Sequence, residues 1–313
     1  MSFLKDLLTK QRYPVILLLA GFMLVLLAEY SVAGELTKLQ VQARATFQWP
    51  TLALGIVCIA LSVGLFLFDP EDLIGWLSCK LETTDTGFKT KFRDTMFHVD
   101  FGLLQDLYSP AMDNAVVVLP ANEYFDDRCF NDARTAAGAF MRGRFSPEQA
   151  RVLRKLVDSE LQHLTFQEVA RESHGVSRSF GTGTCVYLEQ PLATPYRIIL
   201  ASVATDRDDE GLRTELESIF KVMAEVRRIV AEHRLSAVYI PLIGAGKGGV
   251  PAQVAFLALA IAVLENRCRE GGHLMKDIHA VIYRPDGKDP QLSTAKAKAV
   301  VRQVVTLYKE VSR

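Results

Sequence analysis

The chain has 313 residues, of which 49% are hydrophobic, a formal net charge of zero and five cysteines. A zero net charge argues against a general nucleic-acid binder, which usually carries a basic excess. The cysteines have no CxxC spacing and the six histidines form no HExxH motif, so we expect no zinc site, redox motif or other structural metal.

Two apolar segments come first in the chain. Residues 14–33 and 51–68 are each long enough to cross a bilayer, and basic residues are denser before the first segment than in the loop between them. This pattern predicts a two-helix transmembrane hairpin with connector (1–80) in the bacterial inner membrane, in contact with membrane lipid, with the N-terminus and the following domain cytoplasmic. The alternative is a signal peptide, because Ser31-Val32-Ala33 is similar to a cleavage site.

The remaining residues, 81–313, alternate between short apolar runs and helical periodicity. Ser146-Pro147-Glu148-Gln149 predicts a capped helix start, and the apolar stripe from Leu212 to Val230 predicts a long helix. Predicted strands are 96–99, 115–119, 185–188, 197–203, 237–243 and 278–283, and further predicted helices are 251–268 and 295–309. This alternation indicates an α/β domain with a mostly parallel central sheet.

A glycine-rich loop, Gly244-Ala245-Gly246-Lys247-Gly248-Gly249, follows the predicted strand 237–243. It is not a Walker A loop, because Lys247 is followed by Gly248 instead of Ser or Thr. It matches GxGxxG, but it lies late in the domain, whereas a dinucleotide fingerprint opens one. Glycine lets backbone N–H groups approach an anion, and the next helix start adds partial positive charge. We therefore expect a diphosphate here; a tight turn without ligand is the alternative.

The order of these segments resembles the macro domain family. Asp113–Asn122 (DNAVVVLPAN), Phe180–Leu188 (FGTGTCVYL) and Val238–Pro251 are similar to its second strand, its TG-containing strand and its second phosphate loop. The resemblance implies a three-layer domain with a mostly parallel mixed sheet and a cleft that binds ADP-ribose and related compounds.

A narrower resemblance covers nearly the whole chain. Asn122–Asp127 (NEYFDD), Gly138-Ala139-Phe140 and PLIGAGKGG, behind two apolar segments, are similar to the transmembrane macro-domain effectors of Thoeris anti-phage defence. The resemblance implies that a TIR-domain partner makes an ADP-ribose-derived signal, such as histidine-ADP-ribose. It also implies that the macro domain binds the signal, and that the protein then oligomerises and disrupts the host membrane in abortive infection.

The resemblance also implies which residues contact the ligand. Asn122 matches the asparagine that contacts the distal ribose. Asp100 matches the aspartate that binds the adenine amino group; the alternative is that it is a carboxylate at a strand end that faces solvent. The glycine loop supplies backbone donors, with Lys247 as an added charge. The predicted ligand-binding residues are Asp100, Asn122, Phe125, Asp126, Asp127, Gly244, Ala245, Gly246, Lys247, Gly248 and Gly249.

The first phosphate loop departs from the family pattern. Hydrolytic macro domains are glycine-rich there, whereas this chain has Phe125-Asp126-Asp127-Arg128. The two carboxylates repel a diphosphate unless they face a cationic ligand group or backbone amides; either they recognise a basic appendage, or one of them caps a helix. We therefore expect a binding protein without a catalytic residue, cofactor or metal. The alternatives are a membrane-tethered ADP-ribosyl hydrolase and a passive ADP-ribose reader.

Overall fold

A computed structural model describes residues 80–92, 95–109, 114–126, 130–172, 175–207, 211–265, 275–285 and 287–311. The chain divides into two units, Met1–Leu77 and Ser78–Arg313, and all described residues belong to the second. The predicted domain boundary at residues 80 and 81 stays a prediction.

The predicted localisation needs a correction. Along the described residues, no helix combines the length and the apolar composition that a membrane crossing requires. The prediction of a two-span inner-membrane protein is wrong on this finding. The two segments on which it was based, 14–33 and 51–68, lie outside the described residues.

Eleven strands are present among the described residues. They are β1 (Glu82–Thr83), β2 (Gly87–Phe92), β3 (Thr95–Gly102), β4 (Ala115–Asn122), β5 (Gln167–Arg171), β6 (Gly175–Ser179), β7 (Cys185–Glu189), β8 (Arg197–Arg207), β9 (Gly211–Arg213), β10 (Ala237–Pro241) and β11 (Asp277–Tyr283). Nine form one sheet in the order β1-β2-β3-β11-β10-β4-β8-β7, with β9 on β8. The five central strands, from β3 to β8, run parallel, and the outer pairings are antiparallel.

Six α-helices cover the two faces of this sheet in the described residues. They are α1 (Leu104–Leu107), α2 (Ala136–Arg144), α3 (Pro147–Leu161), α4 (Leu216–Glu232), α5 (Ala252–Glu265) and α6 (Thr294–Val311). One apolar cluster packs α4, α5 and α6 on one face, and a second packs α1, α2 and α3 on the other. Because both faces are covered, the central strands are apolar almost throughout. The α/β prediction with a mixed sheet between helical layers is confirmed.

Local sequence signals located several of these elements well. Helix α3 begins with the predicted capping box, in which the Ser146 hydroxyl accepts from the Gln149 N–H and the Gln149 side chain accepts from the Ser146 N–H. One prediction was displaced: Leu212 lies in β9, and α4 begins at Leu216. The β5–β6 hairpin was not predicted, because its strands are short and largely exposed.

Candidate functional site

The glycine loop connects β10 to α5 at the carboxyl end of the parallel strands, where open α/β sheets bind ligands. Gly244 and Gly249 have φ angles of +82° and +77°, which non-glycine residues rarely adopt. The Val250 N–H donates to the Gly244 carbonyl over 3.1 Å and closes the bend. On the other side, the Gln291 side chain donates to the Ala245 carbonyl over 2.7 Å.

Thr214, which follows β9, explains two of the glycines in a way that the sequence did not suggest. A Cβ atom on Gly248 would lie 2.2 Å from the Thr214 Oγ1, and one on Gly244 would lie 2.7 Å from its Cγ2. The Thr214 N–H also donates to the Gly248 carbonyl over 3.0 Å. These glycines therefore make room for a protein side chain, and among the loop glycines with negative φ only Gly246 has open space at its Cβ position.

A cleft of about 680 Å³, here called the main cleft, lies beside this loop. Its lining includes residues 102–105 at the end of β3 and start of α1, Pro120 and Ala121 in β4, and residues 133–136 at the start of α2. It also includes Gly244, Gly246, Lys247 and Gly248 of the loop, Val281 and Tyr283 in β11, and the charged side chains Lys288 and Asp289. Tyr283 is 53% exposed and was not predicted. Residues 250–252, at the start of α5, are not in this lining, whereas Gly244, Gly246, Lys247 and Gly248 of the loop are.

Three backbone N–H groups of the loop have no hydrogen-bond partner in the part of the chain that the structure describes. Within the described residues, the N–H groups of Gly246, Lys247 and Gly248 form no hydrogen bond. The Lys247 ammonium pairs with Asp132, a residue of the segment that precedes α2. Uncommitted backbone N–H groups and a cation at the edge of a cleft are a suitable environment for an anion.

The predicted distal residues lie together at the end of β4, outside the lining of the main cleft. Asn122 is fully buried, and its Oδ1 accepts from the Asp126 N–H over 3.3 Å. Phe125 is fully buried with a φ of +48°, and its ring packs edge-on against Phe180. Its carbonyl accepts from Arg154 of α3. Asp127 lies outside the described residues.

Arg171 of β5 provides the charge partner of Asp126, and the sequence reasoning missed it. Its guanidinium nitrogens lie 2.6 Å from an Asp206 carboxylate oxygen and 3.5 Å from one of Asp126. The Arg171 Cζ lies 4.0 Å from the centroid of the Tyr124 ring. Arg171 and Asp206 are both buried. The protein itself therefore supplies the cation beside Asp126. This argues against the hypothesis that Asp126 recognises a basic group on the ligand. Only the fold brings the β5–β6 hairpin to this loop, so no local sequence signal indicated the contact.

Asp100 lies in β3, outside the lining of the main cleft. It is 5% exposed, accepts from Thr86 over 2.5 Å and lies 2.8 Å from His279 Nδ1. Burial alone would raise the pKa of Asp100, but the hydrogen bonds from His279 and Thr86 lower it overall. His279 stacks between His98 and Tyr239 with centroid distances of 4.1 Å on each side. The adenine contact of Asp100 stays a prediction.

The described residues hold no group of three or more histidine, cysteine, aspartate or glutamate side chains arranged to bind a metal ion. The lining of the main cleft combines apolar side chains, glycines of the loop and a few charged side chains.

Comparison with known families bears on this architecture. The family described as Thoeris protein ThsA, macro domain, matches residues 103–283, more than half of the chain. The chain belongs to this family. Membership in the ThsA macro domain family implies binding of an ADP-ribose-derived ligand in anti-phage defence.

Solved structures give weaker likenesses. The chain is similar to an Oceanobacillus iheyensis macrodomain with MES bound (14% identity, TM-score 0.47, covering 71% of this chain and 97% of that one). It is also similar to a Trypanosoma brucei macrodomain in complex with ADP-ribose (14% identity, TM-score 0.41, covering 65% of this chain and 68% of that one). A third similar structure is the macrodomain of Thermus aquaticus DarG (16% identity, TM-score 0.36, covering 60% of this chain and 99% of that one). Because identities and TM-scores are low, the assignment rests on the family match. A search of curated proteins found no match.

Proposed function

We propose that this chain is a non-enzymatic receptor in anti-phage defence. Its macro domain binds an ADP-ribose-derived signal that a TIR-domain protein makes, and binding changes the assembly of several copies of the chain. The TIR partner and the oligomer are inferred from the resemblance to Thoeris effectors. Disruption of the host membrane is not carried into this proposal, because the localisation on which it depended has been corrected.

The unpaired loop amides are the observation that carries the proposal. Gly246, Lys247 and Gly248 line the main cleft, and their N–H groups form no hydrogen bond within the described residues. A diphosphate supplies acceptor oxygens for several neighbouring donors at once, and charge-assisted bonds of this type are stronger than neutral ones. The predicted contacts of Ala245 and Gly249 belong to the same bend, although neither residue lines the cleft.

The remaining lining matches the two other parts of an ADP-ribose-type ligand. Leu103, Leu104, Val281 and the exposed Tyr283 give the cleft apolar surface beside β3 and β11, and this surface suits a nucleobase. Pro120 and Ala121, at the carboxyl end of β4, extend the cleft towards Asn122, and this end suits the distal ribose. Ligand pockets typically combine an apolar lining with a few placed polar groups.

The environment of Asp126 favours binding over hydrolysis. An aspartate that acts as a general base must be able to take a proton from a positioned water. Asp126 instead lies against the Arg171 guanidinium, and Asn122 is buried with its Oδ1 occupied by the Asp126 N–H. Neither arrangement provides a base at the edge of the cleft.

Isothermal titration calorimetry on the purified full chain tests the proposal. We expect ADP-ribose to bind, and adenosine, which lacks the diphosphate, to bind far more weakly. Light scattering before and after ligand addition tests the change of assembly. Absence of any heat with ADP-ribose or with the product of a TIR enzyme would refute the receptor role. Release of ADP-ribose from a modified protein substrate would refute the non-enzymatic part.

A further inference from the structure

The main cleft has a neighbour on the other side of Lys247. A second cavity of about 800 Å³, here called the side pocket, shares Ala133, Leu212 and Lys247 with the main cleft. Asp132 lines the side pocket and not the main cleft. The Lys247 side chain therefore lies on the partition between the cavities and is drawn towards the side pocket by its ion pair.

The two partners of this ion pair are held very differently. The Asp132 Oδ1 accepts from the Arg134 N–H and Nε, and its Oδ2 accepts from the Arg134 Nη2, each over 2.9 Å. The Asp132 carbonyl accepts from the Thr135 N–H and hydroxyl. Lys247 has a long side chain with four rotatable bonds that is 41% exposed. Asp132 is therefore the fixed partner and Lys247 the movable one.

The carboxylate is charged at every ordinary pH. Hydrogen bonds from the Arg134 side chain, and then from Lys247, hold the pKa of Asp132 well below its usual range. Because Lys247 also lines the main cleft, an anion there and Asp132 compete for the same ammonium group.

We propose that Asp132 is a positioning residue that restrains Lys247 and so lowers the affinity of the main cleft for diphosphate ligands. The inference rests on the proposed function. A diphosphate bound at Gly246 to Gly248 gains the Lys247 charge only when the ion pair with Asp132 opens. Asp132 thus raises the ligand concentration at which the receptor responds, without contacting the ligand.

The size of the effect follows from the exposure of the pair. Ion pairs between partly exposed side chains contribute modestly to free energy, and their strength falls with added salt. Loss of the competing carboxylate is therefore expected to tighten diphosphate binding by roughly two- to fivefold at low salt.

Calorimetric titration of the full chain with ADP-ribose provides the test, using Asp132→Asn, Lys247→Met and the double variant. Asparagine keeps the Oδ1 acceptor for Arg134 and removes the charge that holds Lys247. We expect Asp132→Asn to bind roughly two- to fivefold more tightly than the wild type and Lys247→Met to bind more weakly. The double variant should match Lys247→Met, because Asp132 acts through Lys247.

A matched control separates this effect from overall charge. Glu232→Gln removes a carboxylate from an exposed ion pair with Arg228 on α4, changes the net charge equally, and should leave the affinity unchanged. Thermal unfolding of each variant reports any loss of fold, which a purely structural role of Asp132 predicts.

Three results would overturn the inference: Asp132→Asn binding no more tightly than the wild type, Lys247→Met binding as tightly as the wild type, or independent effects in the double variant. Failure of the wild type to bind ADP-ribose would refute the proposed function itself, so the two failures are distinguishable.

Discussion

Gly246 and Gly248 offer a matched pair of substitutions in one loop. Neither has a positive φ angle, so alanine is compatible with the backbone at both positions. At Gly248 the new Cβ would lie 2.2 Å from the Thr214 Oγ1 and 2.9 Å from the Gly244 carbonyl oxygen. At Gly246 it meets nothing within 4 Å. The two alanine variants therefore separate packing within the loop from access to the cleft.

The expected magnitudes differ accordingly. Overpacking a close-packed site costs about 1–3 kcal/mol, so Gly248→Ala should lower the melting temperature by roughly 3–10 °C for a domain of this size. Gly246→Ala should leave stability unchanged or raise it by about 0.4–1 kcal/mol, because alanine restricts the unfolded chain. Because Gly246 lines the main cleft, an added methyl group should crowd a diphosphate at the loop amides, and ADP-ribose binding should weaken without loss of fold.

Thermal unfolding and calorimetric titration of the full chain measure both effects. Thr214→Ala in the Gly248→Ala background removes the 2.2 Å contact but not the one with the Gly244 carbonyl, so a partial recovery of stability is expected. A Gly248→Ala variant as stable as the wild type would refute the packing argument. Undiminished ADP-ribose binding by Gly246→Ala would refute an anion site at that position.

Three further predictions concern the surrounding structure. Arg171→Met should lower the free energy of unfolding by about 3–5 kcal/mol, measured by urea denaturation, because the buried Asp206 loses its charge partner; an Arg207→Met control on the exposed end of β8 should cost much less. Burial, and then His279, lowers the pKa of His98 from 6.5, opposed by Asp277 and Asp100. The unfolded chain therefore takes up a proton first, and stability should fall as pH drops below 6.5, with a shallower fall in His98→Gln. Ser146→Ala should cost about 1 kcal/mol through loss of the α3 cap, and an undiminished melting temperature would contradict that role.

The order of the central elements was readable from the sequence because it depends on neighbouring residues. Apolar runs identified β4, β8, β10 and β11, and the helical stripe identified α4. The capping box at Ser146 needs only residues within one helical turn. The glycine loop was recognisable for the same reason, since its residues are contiguous.

The charge arrangement of the site depended on the tertiary fold. Arg171 reaches Asp206 and Asp126 across 35 and 45 positions of the chain, and Lys247 reaches Asp132 across 115. The sequence and the resemblance predict Asp126 as a carboxylate for the ligand or a helix cap, and Lys247 as an added charge for the ligand. Each of these side chains has many possible partners of opposite charge in the sequence, and the neighbouring residues do not indicate which of them forms the ion pair.

The glycines show the same division within a single loop. Their pattern in the sequence determined that the backbone bends sharply after β10. That Gly244 and Gly248 make room for Thr214, while Gly246 faces open space, was decided by the packing of the β8–β9 hairpin against the loop. Helical periodicity and capping depend on residues within a few positions of one another, so the sequence indicates them directly. The steric contacts and ion pairs of this site form only when the fold brings distant segments together.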